Sequence, residues 1–159
     1  MLAKKNRSME KRIIPITHKD FERCADLWNM KKQRALAERF YSDLQSGKRV
    51  TWVCEQNGAR LGEISLVLDM NDPEYTITHK RAYVSHLIVK KDCRRQGIGR
   101  SLVEHVIEQA KQMDIKELTI GVALDNFAAL RLYAKAGFDR ILDVCEDKDG
   151  RYVKLMKSL

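Results

Sequence analysis

The chain has 159 residues with 44% hydrophobic and 33% charged side chains, and it contains only 8 glycines and 2 prolines. This length allows one domain with a continuous apolar core, and the composition excludes disordered and fibrous proteins. The formal net charge of +8 suits nucleic acid, an acidic membrane surface or a polyphosphate ligand, and charge alone does not choose among them.

The beginning of the chain predicts one strand and two helices. The β-branched residues between positions 12 and 17 predict a strand, in which Pro15 is tolerated at an edge or an irregularity. Residues 1–8 before it are expected to form a flexible tail. Apolar residues at three- and four-residue spacing then predict amphipathic helices over residues 20–30 and 32–44, the second of which ends at a Ser-Gly pair.

A tight hairpin and a further strand follow. The pair Asn57-Gly58 is the strongest short signal for a two-residue turn, and it joins strand-like residues 49–56 and 59–68. Residues 83–89 predict another strand. Its apolar end, Leu87-Ile88-Val89, predicts burial on both faces and therefore a central place in the sheet.

The second half of the chain predicts two helices and three strands. These elements are a helix over residues 98–113, a strand over 118–122, a helix capped by Asp125 or Asn126 and ended by Gly137, and a hairpin of strands 140–144 and 151–156. The order of all elements predicts a mixed α/β sheet of about seven strands with about four helices on its two faces. We expect a single domain over residues 9–159, without repeats or an internal linker.

The cysteines and the hydropathy pattern argue against a secreted or membrane protein. The four cysteines lie far apart, and no two have the C-x-x-C spacing of a zinc or redox site. No run of about 18 apolar residues is long enough to span a bilayer, and the N-terminus lacks the apolar stretch of a secretory signal. We therefore expect a cytoplasmic protein with reduced thiols, no metal and no membrane partner.

A glycine-rich turn lies between the strand that ends at Val89 and the following helix. It reads Arg94-Arg95-Gln96-Gly97-Ile98-Gly99. The first turn of a helix presents unpaired N–H groups and a partial positive charge, so an anion is stabilised there. The turn lacks the lysine of a P-loop and the third glycine and acidic residue of a dinucleotide site, which disfavours ATP and NAD. The two glycines alone also fit a plain strand-to-helix connection, but the neighbouring arginines favour a phosphate ligand.

Two motifs resemble the GNAT superfamily of acyl-CoA-dependent N-acetyltransferases. The pyrophosphate motif of that family, [Gln/Arg]-x-x-Gly-x-[Gly/Ala], is matched by Arg94, Gly97 and Gly99, and its preceding Leu-x-Val is matched by Leu87 and Val89. The family's second signature is matched by Asn126, Ala129, Leu132, Tyr133, Gly137 and Phe138. The resemblance runs from about residue 82 to residue 139.

This resemblance implies the GNAT fold, a mostly antiparallel sheet, and acetyl-CoA (coenzyme A) as co-substrate without a metal. It implies that Tyr133 protonates the departing thiolate. The cofactor-binding residues implied in the same way are Leu87, Ile88, Val89, Arg94, Arg95, Gln96, Gly97, Ile98, Gly99, Arg100, Ser101, Asn126, Ala129 and Tyr133. The main chain of the strand would hold the pantetheine arm and acetyl carbonyl, and the amides of the turn would hold the pyrophosphate.

The acceptor amine is not readable from the sequence. Family members that act on protein N-termini often carry a glutamate five residues before the motif asparagine, where this chain has Gly121. We therefore expect a small-molecule amine, with a peptide or protein acceptor as the alternative. The candidate bases that would take the amine proton are Glu55, Glu63, Asp69, Tyr83 and His86. By strand alternation, Tyr83 lies on the same side as Leu87 and Val89, and His86 lies on the other.

Two further classes of function remain open at this point. One is a CoA-binding module without turnover, against which the intact Tyr133 and Asn126 argue. The other is a nucleic-acid-binding domain, for which we find no recognition helix and no interleaved aromatic and basic residues. We expect no nucleic-acid partner. The protein is expected to be a monomer or a homodimer, and the last strand, residues 152–156, would pair with another chain if it lay at an edge.

Overall fold

The computed structural model of the chain describes residues 10–159, which contain one seven-stranded sheet. Its strands are β1 (Arg12–Ile16), β2 (Arg49–Gln56), β3 (Ala59–Val67), β4 (Arg81–Val89), β5 (Glu117–Ala123), β6 (Arg140–Asp147) and β7 (Gly150–Ser158). The α-helices of this part of the chain are α1 (Arg34–Ser46), α2 (Ile98–Gln112) and α3 (Phe127–Lys135). The strand order is β1-β2-β3-β4-β5-β7-β6, and the predicted fold class is confirmed. The tail expected at residues 1–8 lies outside the described residues.

The segment predicted as the first α-helix is instead a 3-10 helix, His18–Asp26. The Thr17 side chain caps its first turn by accepting a hydrogen bond from the Lys19 N–H, and the Leu27 N–H closes its end on the Cys24 carbonyl. The buried residues of the segment, Phe21 and Cys24, are three positions apart. That spacing places both on one face of a 3-10 helix as well as of an α-helix, so the apolar pattern does not distinguish the two.

Two compact units divide the chain, and the first includes residues 10–65 and 86–105. Its apolar core is formed by Ile16, Phe21, Cys24, Trp28, Phe40 and Val53, with Ile88 packed against it. Pro15 lies on the outer strand β1, as predicted. Asn57 and Gly58 have the left-handed φ values of 52° and 78° that a tight hairpin turn requires.

The second unit includes residues 66–85 and 106–159. Strand β5 pairs with β7 along its whole length and with β4 over the three pairs that begin at Arg81 and end at Tyr83. The last strand does not lie at an edge, because β7 pairs with β5 on one side and β6 on the other, so the condition for its pairing with another chain is not met. None of the helices between residues 10 and 159 is long and apolar enough to cross a membrane.

Candidate functional site

The end of β4 is less buried than its apolar sequence predicts. Leu87, Ile88 and Val89 are all half-buried, so the expectation of burial on both faces is wrong. The residue before them, His86, has a left-handed φ of 59° inside the strand. An ordinary residue rarely adopts this conformation, and one inside a strand interrupts the alternation of side chains. Side-chain alternation therefore does not assign Leu87 and Val89 to the same face as Tyr83.

The glycine-rich turn leads from β4 into α2 through two left-handed residues. Arg95 and Gly97 have φ values of 64° and 79°. The first helical hydrogen bond runs from the Ser101 N–H to the Gly97 carbonyl, at 3.0 Å. Helix geometry directs the preceding N–H groups out of the end of α2. No atom lies within 4 Å of a Cβ built on Gly97, so an anion can approach this main chain.

The arginine side chains around the turn are exposed and carry only local contacts. Arg94 Nε donates to the Val89 carbonyl at 3.4 Å, and Arg100 Nε pairs with Glu104 Oε1 at 2.9 Å. Exposed pairs of this kind are weak, so the guanidinium groups remain available to a phosphate. The side chain of Ile98 is buried, so only its main chain can contribute to an anion site.

Gly62 on β3 allows α2 to begin this close to the sheet, and the sequence analysis did not single it out. A Cβ at this position would lie 2.9 Å from the Ile88 carbonyl and 3.1 Å from a methyl group of Leu102. Any side chain would therefore push the strand or the helix away. The available signal was a glycine inside a strand pattern, which often marks a close approach of another backbone.

Asn126 and Tyr133 belong to the second unit, where Asn126 directly precedes α3 and Tyr133 lies on it. The Asn126 side chain accepts a hydrogen bond from the Ala129 N–H at 3.2 Å, so Asn126 is the cap that the sequence predicted. Tyr133 is buried against Phe138. Burial, and then the neighbouring Tyr83, raise the pKa of Tyr133 to about 12. Its hydroxyl therefore keeps its proton at neutral pH and can donate it.

A cavity of about 340 Å³ in the second unit surrounds Gly121. Its lining includes Tyr75, Tyr83, Tyr152 and the hairpin residues Asp147, Asp149 and Arg151. A Cβ on Gly121 would lie 3.8 Å from the Tyr83 hydroxyl and 3.9 Å from the Tyr75 hydroxyl. Two phenol groups thus occupy the neighbourhood in which the family pattern leads one to expect a carboxylate.

Lys154 contacts Tyr75 in one wall of this cavity, and no sequence pattern indicated this contact. Lys154 lies opposite Gly121 in the pairing of β5 with β7. Its ammonium group is 2.7 Å from Glu74 and 4.6 Å above the Tyr75 ring. The Tyr75 carbonyl accepts a hydrogen bond from the Thr119 hydroxyl at 2.8 Å. Tyr75 is therefore held by both its ring and its main chain.

The five candidate bases lie in different parts of the structure and have different partners. Tyr83 lines the cavity. Glu63 and His86 form a pair in the first unit, with 3.1 Å between Oε1 and Nδ1. Glu55 is paired with Arg12 at 2.7 Å, and Asp69 accepts a hydrogen bond from a neighbouring main-chain N–H. Within residues 10–159, no three His, Cys, Asp or Glu side chains form a group that could hold a metal ion.

Comparison with known proteins places these features in a family. Residues 13–138 match the acetyltransferase (GNAT) family. An alanine N-acetyltransferase for ribosomal protein bS18 from Escherichia coli (strain K12) is 30% identical over 114 residues, which are 68% of this chain and 70% of that protein. A GNAT acetyltransferase from Elizabethkingia anophelis, solved with acetyl-CoA bound, has a TM-score of 0.70 at 22% identity, over 94% of this chain and 98% of that one.

A mammalian relative is longer than the matched region. N-acetyltransferase family 8 member 3 from Rattus norvegicus is 34% identical over 89 residues, which are 56% of this chain but only 38% of the rat protein.

Proposed function

Since the chain belongs to the GNAT acetyltransferase family, we propose that it transfers the acetyl group of acetyl-CoA to a primary amine by direct attack in a ternary complex. The observation that carries the proposal is the exposed turn at the start of α2, where left-handed Arg95 and Gly97 present main-chain N–H groups to an anion. A buried, protonated Tyr133 supplies the acid that such a transfer needs.

The residues present fit acetyl-CoA. The N–H groups around Gln96–Ser101 suit a pyrophosphate, with Arg94, Arg95 and Arg100 adding charge. The main chain of the half-buried residues Leu87, Ile88 and Val89 suits the pantetheine arm and the acetyl carbonyl, because an apolar yet accessible strand end can pair with amides. Asn126 and Ala129, at the start of α3, complete the proposed cofactor set. When bound, acetyl-CoA supplies an acetyl group activated as a thioester.

In the proposed reaction, the chain's residues orient the reactants and move one proton. The amine nitrogen bonds to the acetyl carbon, and the carbon–sulfur bond breaks. Tyr133 donates its hydroxyl proton to the departing sulfur, and the amine proton leaves to water or to a base. Tyr83, which lines the cavity beside Gly121, is the candidate base in position to contact the acceptor.

For the acceptor, we favour a small molecule over a protein. The cavity around Gly121 has the size of a small-ligand pocket, and its wall is fixed by the contacts of Lys154 and Tyr75. A peptide N-terminus remains the alternative, since one relative is named for a ribosomal-protein substrate. We also propose that residues 9–159 act as one catalytic domain in the cytoplasm, as a monomer or homodimer.

A thiol-release screen tests this proposal. Purified protein is incubated with acetyl-CoA and, separately, with small amines, aminoglycosides and peptides with free N-termini, and products are identified by mass spectrometry. We expect release of CoA with acetylation of at least one small amine. Release with peptides alone would replace the small-molecule acceptor by the alternative. Binding of acetyl-CoA without release by any amine would favour a CoA-binding module that does not turn over.

A further inference from the structure

Glu63 and His86 form a partly buried pair that the proposed reaction does not use. Glu63 is 2% exposed, and its Oε1 lies 3.1 Å from His86 Nδ1. The His86 ring also packs edge-on against Trp28 and Phe40, with ring centroids 4.6 Å and 5.0 Å away. The imidazole is therefore fixed by a hydrogen bond and by two aromatic contacts.

The carboxylate of this pair is itself held by buried neighbours. Burial raises the pKa of the Cys24 thiol to about 12, and Glu63 contributes to the rise through its charge and a hydrogen bond. The thiol therefore stays protonated beside the carboxylate. Arg60 Nη1 donates to Cys24 Sγ at 3.1 Å and to the Asp20 carbonyl at 2.9 Å. Side-chain contacts thus run from the 3-10 helix through Glu63 to His86.

His86 is also the left-handed residue of β4, with a φ of 59°. A non-glycine residue keeps such a conformation only where its surroundings hold it there. The contacts of its ring with Glu63, Trp28 and Phe40 are in place to supply such a constraint. Directly after this residue come Leu87, Ile88 and Val89, whose main-chain direction depends on the torsion angles at His86.

We propose that Glu63 and His86 position the end of β4 for acetyl transfer by holding His86 in its left-handed conformation. This inference rests on the proposed function, in which the main chain of residues 87–89 receives the acetyl-bearing arm of acetyl-CoA. His86 is then a positioning residue that acts through this main chain. The pyrophosphate is bound elsewhere, at residues 96–101, so loss of the pair lowers the rate of transfer more than the affinity for CoA.

Variants of His86 test the proposal, with His105 as the matched control. His105 is a partly buried histidine of the same unit, and its ring packs against Trp52 of β2 with the ring centroids 5.6 Å apart. We expect His86→Ala to lower kcat by about 10- to 100-fold, as a small misplacement of reacting groups does, with CoA affinity within about 3-fold of wild type by calorimetry. His86→Asn is expected to recover most of kcat, because asparagine tolerates left-handed torsion angles and can still bond to Glu63. His105→Ala is expected to stay within about 2-fold.

Hydrogen–deuterium exchange of residues 84–90 gives a second readout that does not need turnover. Exchange of this segment without ligand is expected to be faster in His86→Ala than in wild type and unchanged in His105→Ala. Should His86→Ala fail to fold, His86→Gln replaces it, since glutamine keeps an amide but adopts left-handed torsion angles less readily than asparagine.

Three results for His86→Ala, or for His86→Gln in its place, would overturn the positioning role: unchanged kcat, equal losses of kcat and CoA affinity, or unchanged exchange at residues 84–90. A wild-type protein that neither binds CoA nor transfers acetyl groups would overturn the proposed function, and with it this role. The exchange comparison would then still decide whether the pair holds β4.

Discussion

The proposed donor region is formed mainly by main chain, whereas the proposed acceptor cavity is formed mainly by side chains. The donor region consists of main chain, namely the end of β4, the left-handed turn and the first turn of α2, with Gly62 leaving room for them. The acceptor cavity depends on side chains, namely the tyrosines around Gly121, one of which, Tyr75, lies under the ammonium group of Lys154. Main chain offers the same donors whatever the side chains are, whereas the cavity depends on each side chain. We therefore expect substitutions in the two regions to separate CoA affinity from acceptor kinetics.

The largest expected effect is that of Tyr133→Phe on the chemical step. Removing the hydroxyl leaves the departing sulfur without a proton donor, and we expect kcat to fall by about 10²- to 10³-fold. CoA affinity is expected to change by less than about 3-fold, because the ring remains. Initial-rate measurements of thiol release check this, with Tyr41→Phe, an exposed tyrosine on α1, as control. A kcat near that of wild type would remove Tyr133 from the mechanism.

The pH dependence of the wild-type rate follows from the same residue. The acid form of Tyr133 is the active one, and its pKa of about 12 keeps it protonated well above neutral pH. The rate is therefore expected to rise as the amine loses its proton and not to fall up to about pH 10, the pKa of an ordinary tyrosine. A pH–rate profile of kcat checks this expectation. A decline of kcat that begins near pH 8 would contradict the assignment.

Gly62→Ala is expected to damage the donor region specifically. The new methyl group on β3 would meet the Ile88 carbonyl at 2.9 Å and a methyl group of Leu102 at 3.1 Å, so β4 and α2 must move away from β3. We expect a loss of about 1 to 3 kcal/mol in the free energy of unfolding. We also expect the CoA affinity to fall by about 10-fold, which corresponds to about 1.4 kcal/mol of binding free energy. Denaturant unfolding and calorimetry measure the two effects.

The control for this substitution is Gly47→Ala. Gly47 ends α1 with a φ of 80°, and no atom lies within 4 Å of a Cβ built there. Alanine at this position would cost about 1 to 2 kcal/mol of left-handed strain but leave CoA affinity unchanged. If both variants lowered CoA affinity alike, the loss would reflect general instability and not the approach of α2 to Gly62.

Lys154→Met is expected to act on the acceptor side only. Methionine keeps much of the side-chain volume but removes the contact with Glu74 and the charge above the Tyr75 ring. Tyr75 then loses one of its constraints, and we expect the acceptor KM to rise by about 3- to 10-fold, which corresponds to a loss of one charge–aromatic contact. CoA affinity is expected to be unchanged. Steady-state kinetics with the acceptor found in the screen measure this change in KM. A selective loss of CoA affinity would contradict the assignment of Lys154 to the acceptor side.

The smallest effect is expected for Gly121→Ala. The nearest atoms to its Cβ, the Tyr83 and Tyr75 hydroxyls, are at ordinary contact distance. The fold should therefore tolerate the methyl group, with a change in unfolding free energy below about 0.5 kcal/mol. The acceptor KM is expected to rise by up to about 3-fold, because the methyl group takes up space in the cavity. A thermal melt and the same kinetic assay check both values.

The same difference between the two regions explains which parts of the structure were predictable from the sequence. The donor turn was predictable because its requirements are local: two glycines, a preceding strand and a following helix stand next to each other in the chain. Asn57-Gly58 and the Asn126 cap were predictable for the same reason. Lys154 is far in sequence from the adjacent residues Glu74 and Tyr75 and contacts them only in the folded chain, where β7 pairs with β5, so no local pattern indicates these contacts.

The errors of the sequence analysis have physical causes as well. The apolar spacing of Phe21 and Cys24 fits both kinds of helix, so the 3-10 helix was predicted as an α-helix. The end of β4 was predicted to be buried because it is continuously apolar, and no sequence pattern indicated that the left-handed residue His86 precedes it inside the strand. The pairing of Glu63 with His86 was likewise invisible, since it joins two strands whose facing residues the sequence does not specify.

The central claim is that the turn between β4 and α2 binds the pyrophosphate of coenzyme A. Calorimetric titration of CoA into wild-type protein and into Arg94→Ala combined with Gly97→Asp tests it most directly. The aspartate places a negative charge at the anion site and strains the left-handed φ of 79°, and the alanine removes a guanidinium. We predict saturable binding to wild type and a dissociation constant at least about 100-fold higher for the double variant. Equal affinities for the two proteins would contradict the account.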